Sequence, residues 1–180
     1  MWIVNASTKR KVLNAAGYPA RILKPRPDLY EVRSAPGMEE GVFAKRDIRR
    51  GEIIFAERPL LVMPDPQPSP QAALLNLYQI QQKGRSGFEC LLEAAIARLP
   101  PESQADLRAL RNVHTADQCS PLVGIAKTNN YDLRNLFDGS DTSSNYKTVN
   151  KIASRINHRC VLCLSFSSAM TNTLSAACPM

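Results

Sequence analysis

The sequence predicts an α+β fold in which a region of small β-sheets is followed by a block of helices and then by a tail of different composition. Three observations predict it. Short apolar runs punctuated by glycine and proline fill residues 30–62, the pattern of brief strands. Leucine-rich stripes at helical spacing follow between 70 and 125. From Val161 to the end there is no Asp, Glu, Lys or Arg, so this tail is unlike the chain before it.

Taken in order, Tyr30-Glu31-Val32-Arg33 reads as a first short strand, broken by Ser34-Ala35-Pro36-Gly37. Gly41-Val42-Phe43-Ala44 is a second apolar run. Gly51 marks a turn into Glu52-Ile53-Ile54-Phe55-Ala56-Glu57. That third strand is apolar on both faces, so both should be covered. Pro59 ends it, and Leu60-Leu61-Val62 continues in extended form to Pro64. Ser69 and Pro70 then suit the N-cap and first position of a helix that Gly84 closes. Ser86-Gly87-Phe88-Glu89 has the capping-box pattern and opens a second helix. Its stripe is Phe88, Leu91, Leu92, Ala95, Ile96 and Leu99. Pro100-Pro101 stops it and starts a shorter helix carrying Leu107 and Leu110. Ser120-Pro121 opens another, through Leu122 and Ile125. Residues 134–145 are polar, with a turn signal at Asp138-Gly139. Val149, Ile152, Ala153 and Ile156 then share one helical face and lead to Asn157-His158.

A chain of 180 residues is long enough for one domain with its own core. The net charge is +7. The excess is concentrated early, where Lys9, Arg10, Lys11, Arg21, Lys24 and Arg26 face Asp28 alone. We read residues 1–28 as a solvated basic extension. It has no interleaved aromatic residues of the kind that stack bases, so nucleic acid is not indicated beyond this basic N-terminus. Its prolines spoil the long amphipathic helix of a transit peptide. Five cysteines, an odd number, and the lack of a secretory apolar segment point to a reducing, intracellular compartment, nucleus and/or cytoplasm. The uncharged tail is interrupted by Ser, Thr and Asn and makes a poor membrane span, so no membrane association is expected. Oligomeric state is not encoded in any pattern we recognise.

Three separated segments together resemble a SET domain. The first is YEVRSAPGMEEGVFAKRDIRRGEIIFAERPLL, Tyr30 to Leu61, with its glycine turn, G-V-F-A, D-I, R-G-E and E-x-P-L in order. The second, Thr128-Asn129-Asn130-Tyr131, resembles the T-N-x-hydrophobic element. The third, Ser154-Arg155-Ile156-Asn157-His158-Arg159-Cys160, resembles S-R-x-N-H-S-C. The resemblance covers residues 29–160, with a first segment at 29–64, a helical insertion at 65–127 and a second segment at 128–160. The insertion resembles that of fungal SET proteins and SET-and-MYND proteins, without a MYND zinc pattern.

The resemblance implies a protein-lysine N-methyltransferase using S-adenosylmethionine, acting on a target lysine of a histone or non-histone protein substrate. Such a transfer needs a neutral amine, although free lysine has a pKa of about 10.4. It also needs in-line approach to within roughly 3–3.5 Å of the methyl carbon. By the same resemblance the turn Met38-Glu39-Glu40-Gly41 lies against the cofactor. Glu39 stands where the family usually has a second glycine. Asn157 would hydrogen-bond the cofactor's amino-acid end and the backbone of His158 the adenine edge. Asn129 and Ser154 would line the same cleft, and one helical turn would present Ser154 with Asn157.

The sequence also departs from the family. Arg159 replaces a serine, and Val161-Leu162-Cys163-Leu164 follows Cys160 in place of x-P-N. The family continues with two or three strands and a catalytic tyrosine, whereas no tyrosine follows Tyr146 here. By this resemblance we therefore expect SET-type small β-sheets with an inserted helical block and a core incomplete at the C-terminus, in a chain that stops before its active site is complete and is inactive by itself, with residues 161–180 a non-family tail arising from a translated intron or frame change. The alternative is a non-catalytic pseudo-SET module that binds proteins. Cys160 is a weak zinc candidate, since Cys163 and Cys178 bring the total to three thiols and a closed site takes four ligands; no metal is expected. His114, in a polar stretch, is expected at the surface.

Overall fold

The computed structural model describes residues 1–4, 6–19, 21–22, 24, 26–36, 38–64, 77–116, 119–133, 146–156, 165–169 and 173–177. Of these, residues 35, 38, 39, 77–86, 165–169 and 173–177 are described by their backbone. The chain is α+β. Helix α1 spans Ala6–Leu13, α2 Leu77–Ile96, α3 Pro101–Arg108 and α4 Pro121–Thr128. The strands are β1 Tyr30–Ala35, β2 Met38–Ala44, β3 Ile53–Glu57, β4 Leu61–Pro64, β5 Asn130–Leu133, β6 Tyr146–Val149, β7 Ser165–Ala169 and β8 Thr173–Ala177. A 3-10 turn occupies Ala153–Arg155. Strands β1 and β2 form a hairpin, and the other two sheets run β4-β6-β5 and β3-β8-β7, all antiparallel.

Two cores hold these parts together. In the first, Leu61, Met63 and Val149 from the β4-β6-β5 sheet meet Leu92, Ile96, Leu107 and Ile125 from the helical block. The second joins Leu29, Ile54, Phe55 and Ala153, with Tyr30, Tyr131, Ile152 and Ile156 packed around them. Each fully buried large aliphatic side chain contributes about 1.5–3 kcal/mol, so the insertion is held to the sheet by its own apolar stripe.

Several elements differ from the sequence reading. Gly84 and Ser86 do not separate two helices, because α2 runs unbroken through both. An interior glycine costs a helix about 1 kcal/mol relative to alanine, which weakens but does not stop it when the flanking apolar stripe is buried. Leu91 is 55 % exposed, while Leu92 and Ile96 are buried. At 100° per residue the face defined by Phe88, Leu92, Ala95, Ile96 and Leu99 leaves Leu91 about 80° from its centre. The expected start of a helix at Ser69-Pro70 lies outside the described residues, as does the polar stretch 134–145.

Val149, Ile152, Ala153 and Ile156 do not share a helix. Val149 ends β6 and joins the first core, whereas the other three follow a bend into the second. The spacing fits a helical face, but strand pairing of Val149 with Leu61 and Asn130 takes precedence. On β3, Ile54 and Phe55 are both buried in the second core, with an irregularity in the register between Ile53 and Phe55, and Ile53 is 41 % exposed.

Both ends of the chain are drawn into sheets. The N–H of Ile3 donates to Val62 at 2.8 Å and the N–H of Val62 to Met1 at 2.8 Å, so residues 1–3 pair along the edge of β4. Helix α1 buries Thr8 and Val12, four residues apart on one face, and the hydroxyls of Thr8 and Tyr146 meet at 3.0 Å. The basic extension is thus partly packed rather than wholly solvated, with Lys9, Arg10 and Lys11 facing out. In the tail read as non-family, β8 pairs along β3 from Glu57↔Leu174 to Ile53↔Ala177, and β7 pairs with β8. An uncharged Ser/Thr/Ala run satisfies an edge strand's backbone without burying charge.

Candidate functional site

The candidate site is built where the three motif segments meet. Met38, Glu39, Glu40 and Gly41 belong to β2 rather than to a turn. The hairpin turn lies before them, where the register shifts at Ser34/Ala35 and Ala35 pairs with Met38. Gly41 is buried opposite Arg33. Glu40 is exposed, and its carboxylate meets the guanidinium of Arg155 at 2.5 Å. This ion pair ties the hairpin to the 3-10 turn across 115 residues of sequence.

Asn129 caps the C-terminus of α4. It is buried, and its side-chain amide donates to the carbonyls of Arg111 at 2.6 Å and Ile125 at 2.8 Å. Its own carbonyl accepts from the Ser154 hydroxyl at 2.9 Å. The structure therefore brings Asn129 and Ser154 together, through the backbone of the first and the side chain of the second. The Asn129 amide itself fastens the helix end. Ser154 Oγ also accepts the Asn150 N–H at 3.1 Å. Ile156 is extended, with φ −77° and ψ 117°, so the turn ends before Asn157. Asn157, His158, Cys160, Cys163 and Cys178 lie outside the described residues.

The centre of the arrangement is a residue that carries no functional side chain. Ala153 is fully buried. Its N–H donates to Glu57 Oε1 at 2.7 Å, and its carbonyl accepts the Tyr131 hydroxyl at 2.8 Å. Glu57 comes from the E-x-P-L end of the first segment and Tyr131 from the second. The same carboxylate accepts the N–H of Lys151 at 3.1 Å through Oε2, and that of Ile152 through Oε2 at 2.9 Å and Oε1 at 3.1 Å. Three successive backbone N–H groups thus surround one carboxylate, a concave arrangement suited to an anion.

Burial is the larger influence on this carboxyl group and pushes its pKa up. The N–H groups of Ala153, Ile152 and Lys151 and the charge of Arg155 pull it back without cancelling that effect. Burial, and then the nearby Glu57 charge, raise the Tyr131 hydroxyl and the Tyr30 hydroxyl as well. The Tyr30 ring tilts against Phe55 with centroids 5.3 Å apart, walling the same space. Before β3, Gly51 turns the chain at φ +78°, a conformation that favours glycine. There Glu52 accepts from Arg46 at 2.8 Å and from the Arg49 N–H at 3.1 Å, which holds its pKa down at about 2.

Glu57, Tyr131 and Arg155 were not singled out from the sequence as site residues. One signal was present: Glu57 falls on the same strand face as Phe55, and a carboxylate on a core face requires donors. Its donors lie more than 90 residues away and could not be named from the sequence. His114 is half-buried rather than fully at the surface. Among the described residues no group of His, Cys, Asp or Glu is arranged to hold a metal ion. In addition, no helix among them is long and apolar enough to cross a membrane. Compared with known proteins, the chain matches no family model, no curated protein and no solved structure.

Proposed function

We propose that this chain carries the front part of a SET-type methyl-donor site, of the kind used by S-adenosylmethionine-dependent protein-lysine N-methyltransferases. One observation supports this reading above the others. The first segment (Glu57) and the second (Tyr131) are both hydrogen-bonded to Ala153, just ahead of the third segment, and Ser154, which opens the third, is hydrogen-bonded to Asn129 of the second. Binding an adenine edge through backbone groups needs a chain held in one conformation, and these hydrogen bonds fasten the segment that precedes Asn157-His158.

The bound donor would supply an electrophilic sulfonium methyl. The residues of this chain would contribute a cleft at Ser154, Asn157 and the backbone of His158, beside β2 from Met38 to Gly41. The partner would be a protein with a target lysine, inside the cell. Because no tyrosine follows Tyr146 in this chain, we propose that it holds the donor without transferring the methyl group.

Isothermal titration with S-adenosylmethionine tests the first half, and saturable one-to-one binding is expected. If no heat and no saturation appear with folded protein, the donor-site reading fails and the non-catalytic interaction module takes its place. Incubation with labelled donor and histone or ribosomal-protein substrates tests the second half. No labelled lysine is expected, and robust turnover would overturn the claim of inactivity.

A further inference from the structure

We propose that Glu57 is the positioning residue of the donor site, its carboxylate acting as an internal anion that sets the chain leading into Asn157-His158. The donor half of this proposal rests on the reading above; the anchoring half rests on geometry alone.

Both carboxylate oxygens are used. Oε1 takes the N–H groups of Ile152 and Ala153, and Oε2 those of Lys151 and Ile152. These are the N–H groups that enter the 3-10 turn and have no earlier carbonyl to bind. Without an acceptor they would be left buried and unpaired, or the turn would open to reach water. Glu57 is fixed in its own right by strand pairing to Leu174 and by its place beside the buried Phe55. The carboxylate is therefore presented by a paired strand to the segment 151–153. Tyr131 grips the opposite, carbonyl side of Ala153, so the two side chains hold one peptide unit from both ends.

The isosteric change Glu57→Gln separates charge and acceptor number from shape. A carboxamide keeps one acceptor oxygen and turns an NH2 group toward N–H groups that also donate, so the three-donor arrangement cannot form. Glu57→Asp keeps both acceptors on a shorter arm and serves as the conservative rescue.

The experiment is amide hydrogen exchange on the full chain, alongside titration with S-adenosylmethionine. In Glu57→Gln we expect exchange at Lys151, Ile152 and Ala153 to accelerate by roughly tenfold or more, while Val62 and Val149 keep their protection. We expect donor affinity to fall by roughly tenfold, with partial recovery of both in Glu57→Asp. Unchanged exchange at 151–153 in Glu57→Gln overturns the anchor. Accelerated exchange with unchanged donor affinity overturns its positioning role. Wild-type protein that binds no donor, yet shows the accelerated exchange in Glu57→Gln, overturns the functional reading and leaves the anchor supported. If Glu57→Gln does not fold, the Glu57→Asp arm decides: wild-type-like exchange and affinity support the anchor, whereas exchange at 151–153 as fast as an exposed loop overturns it.

Discussion

Glu57 and Ala153 are 96 residues apart in the chain and meet at 2.7 Å, the side-chain oxygen of one accepting the buried N–H of the other. The pair closes a loop that contains the entire helical insertion. It also explains how a carboxylate on β3 can hold in place a turn so distant in sequence.

The first prediction ranks the two grips on Ala153. Glu57→Ala leaves three buried or half-buried N–H groups without an acceptor and should cost roughly 2–3 kcal/mol of stability. Tyr131→Phe removes one donor from a carbonyl that also accepts from Ile156 at 2.9 Å, and should cost about 0.5–1.5 kcal/mol. Urea midpoints at neutral pH, with slopes checked for constancy, measure both. A Tyr131→Phe loss equal to or greater than that of Glu57→Ala would contradict the assignment.

The second prediction separates two adjacent leucines. Leu92 is fully buried in the first core and Leu91 is 55 % exposed. Leu92→Ala should cost roughly 2–5 kcal/mol, whereas Leu91→Ala should stay within about 0.5 kcal/mol. Equal losses would mean that α2 packs through a different face.

The third concerns pH, where two glutamates act with opposite sign. Glu52 titrates in the fold at about 2, against an ordinary 4.5. Its contribution is therefore present above about 4.5 and is lost as pH falls toward 2. Glu57 is raised above 4.5, so its contribution is fullest below that value and is lost as pH rises through its folded pKa. Ionising the buried group costs global stability even though it satisfies all three N–H groups. The stability difference between wild type and Glu52→Gln should shrink on acidification, while that between wild type and Glu57→Gln should shift in favour of wild type. Differences that move in the same direction would refute one of the two assignments.

Much of the fold was legible because the signals were local. The strand pattern of 30–62, the proline-started helices at Pro101 and Pro121, and the buried stripe of α2 need only a few residues of context. The continuity of α2 through Gly84 was not legible, since its cost is set against burial that only the tertiary structure defines. Nor was the fate of Val149 to Ile156, where helical spacing and strand pairing compete and pairing with Leu61 wins. At the site, the residue types of Asn129 and Ser154 marked polar positions, but their direct contact and the use of the Asn129 amide as a helix fastener depend on a chain reversal that spacing does not encode. The pairing of Thr173–Ala177 with β3 was equally hidden, because an uncharged tail carries no register of its own.

The most direct test of the donor site is photochemical cross-linking of S-adenosyl-[methyl-3H]methionine to the folded 180-residue chain, followed by peptide mapping. We predict label in the peptide from Ile152 to Leu164, suppressed by excess S-adenosylhomocysteine and strongly reduced in Glu57→Gln. Label confined to the helical block between Leu77 and Thr128, or no competable label in folded protein, would contradict it.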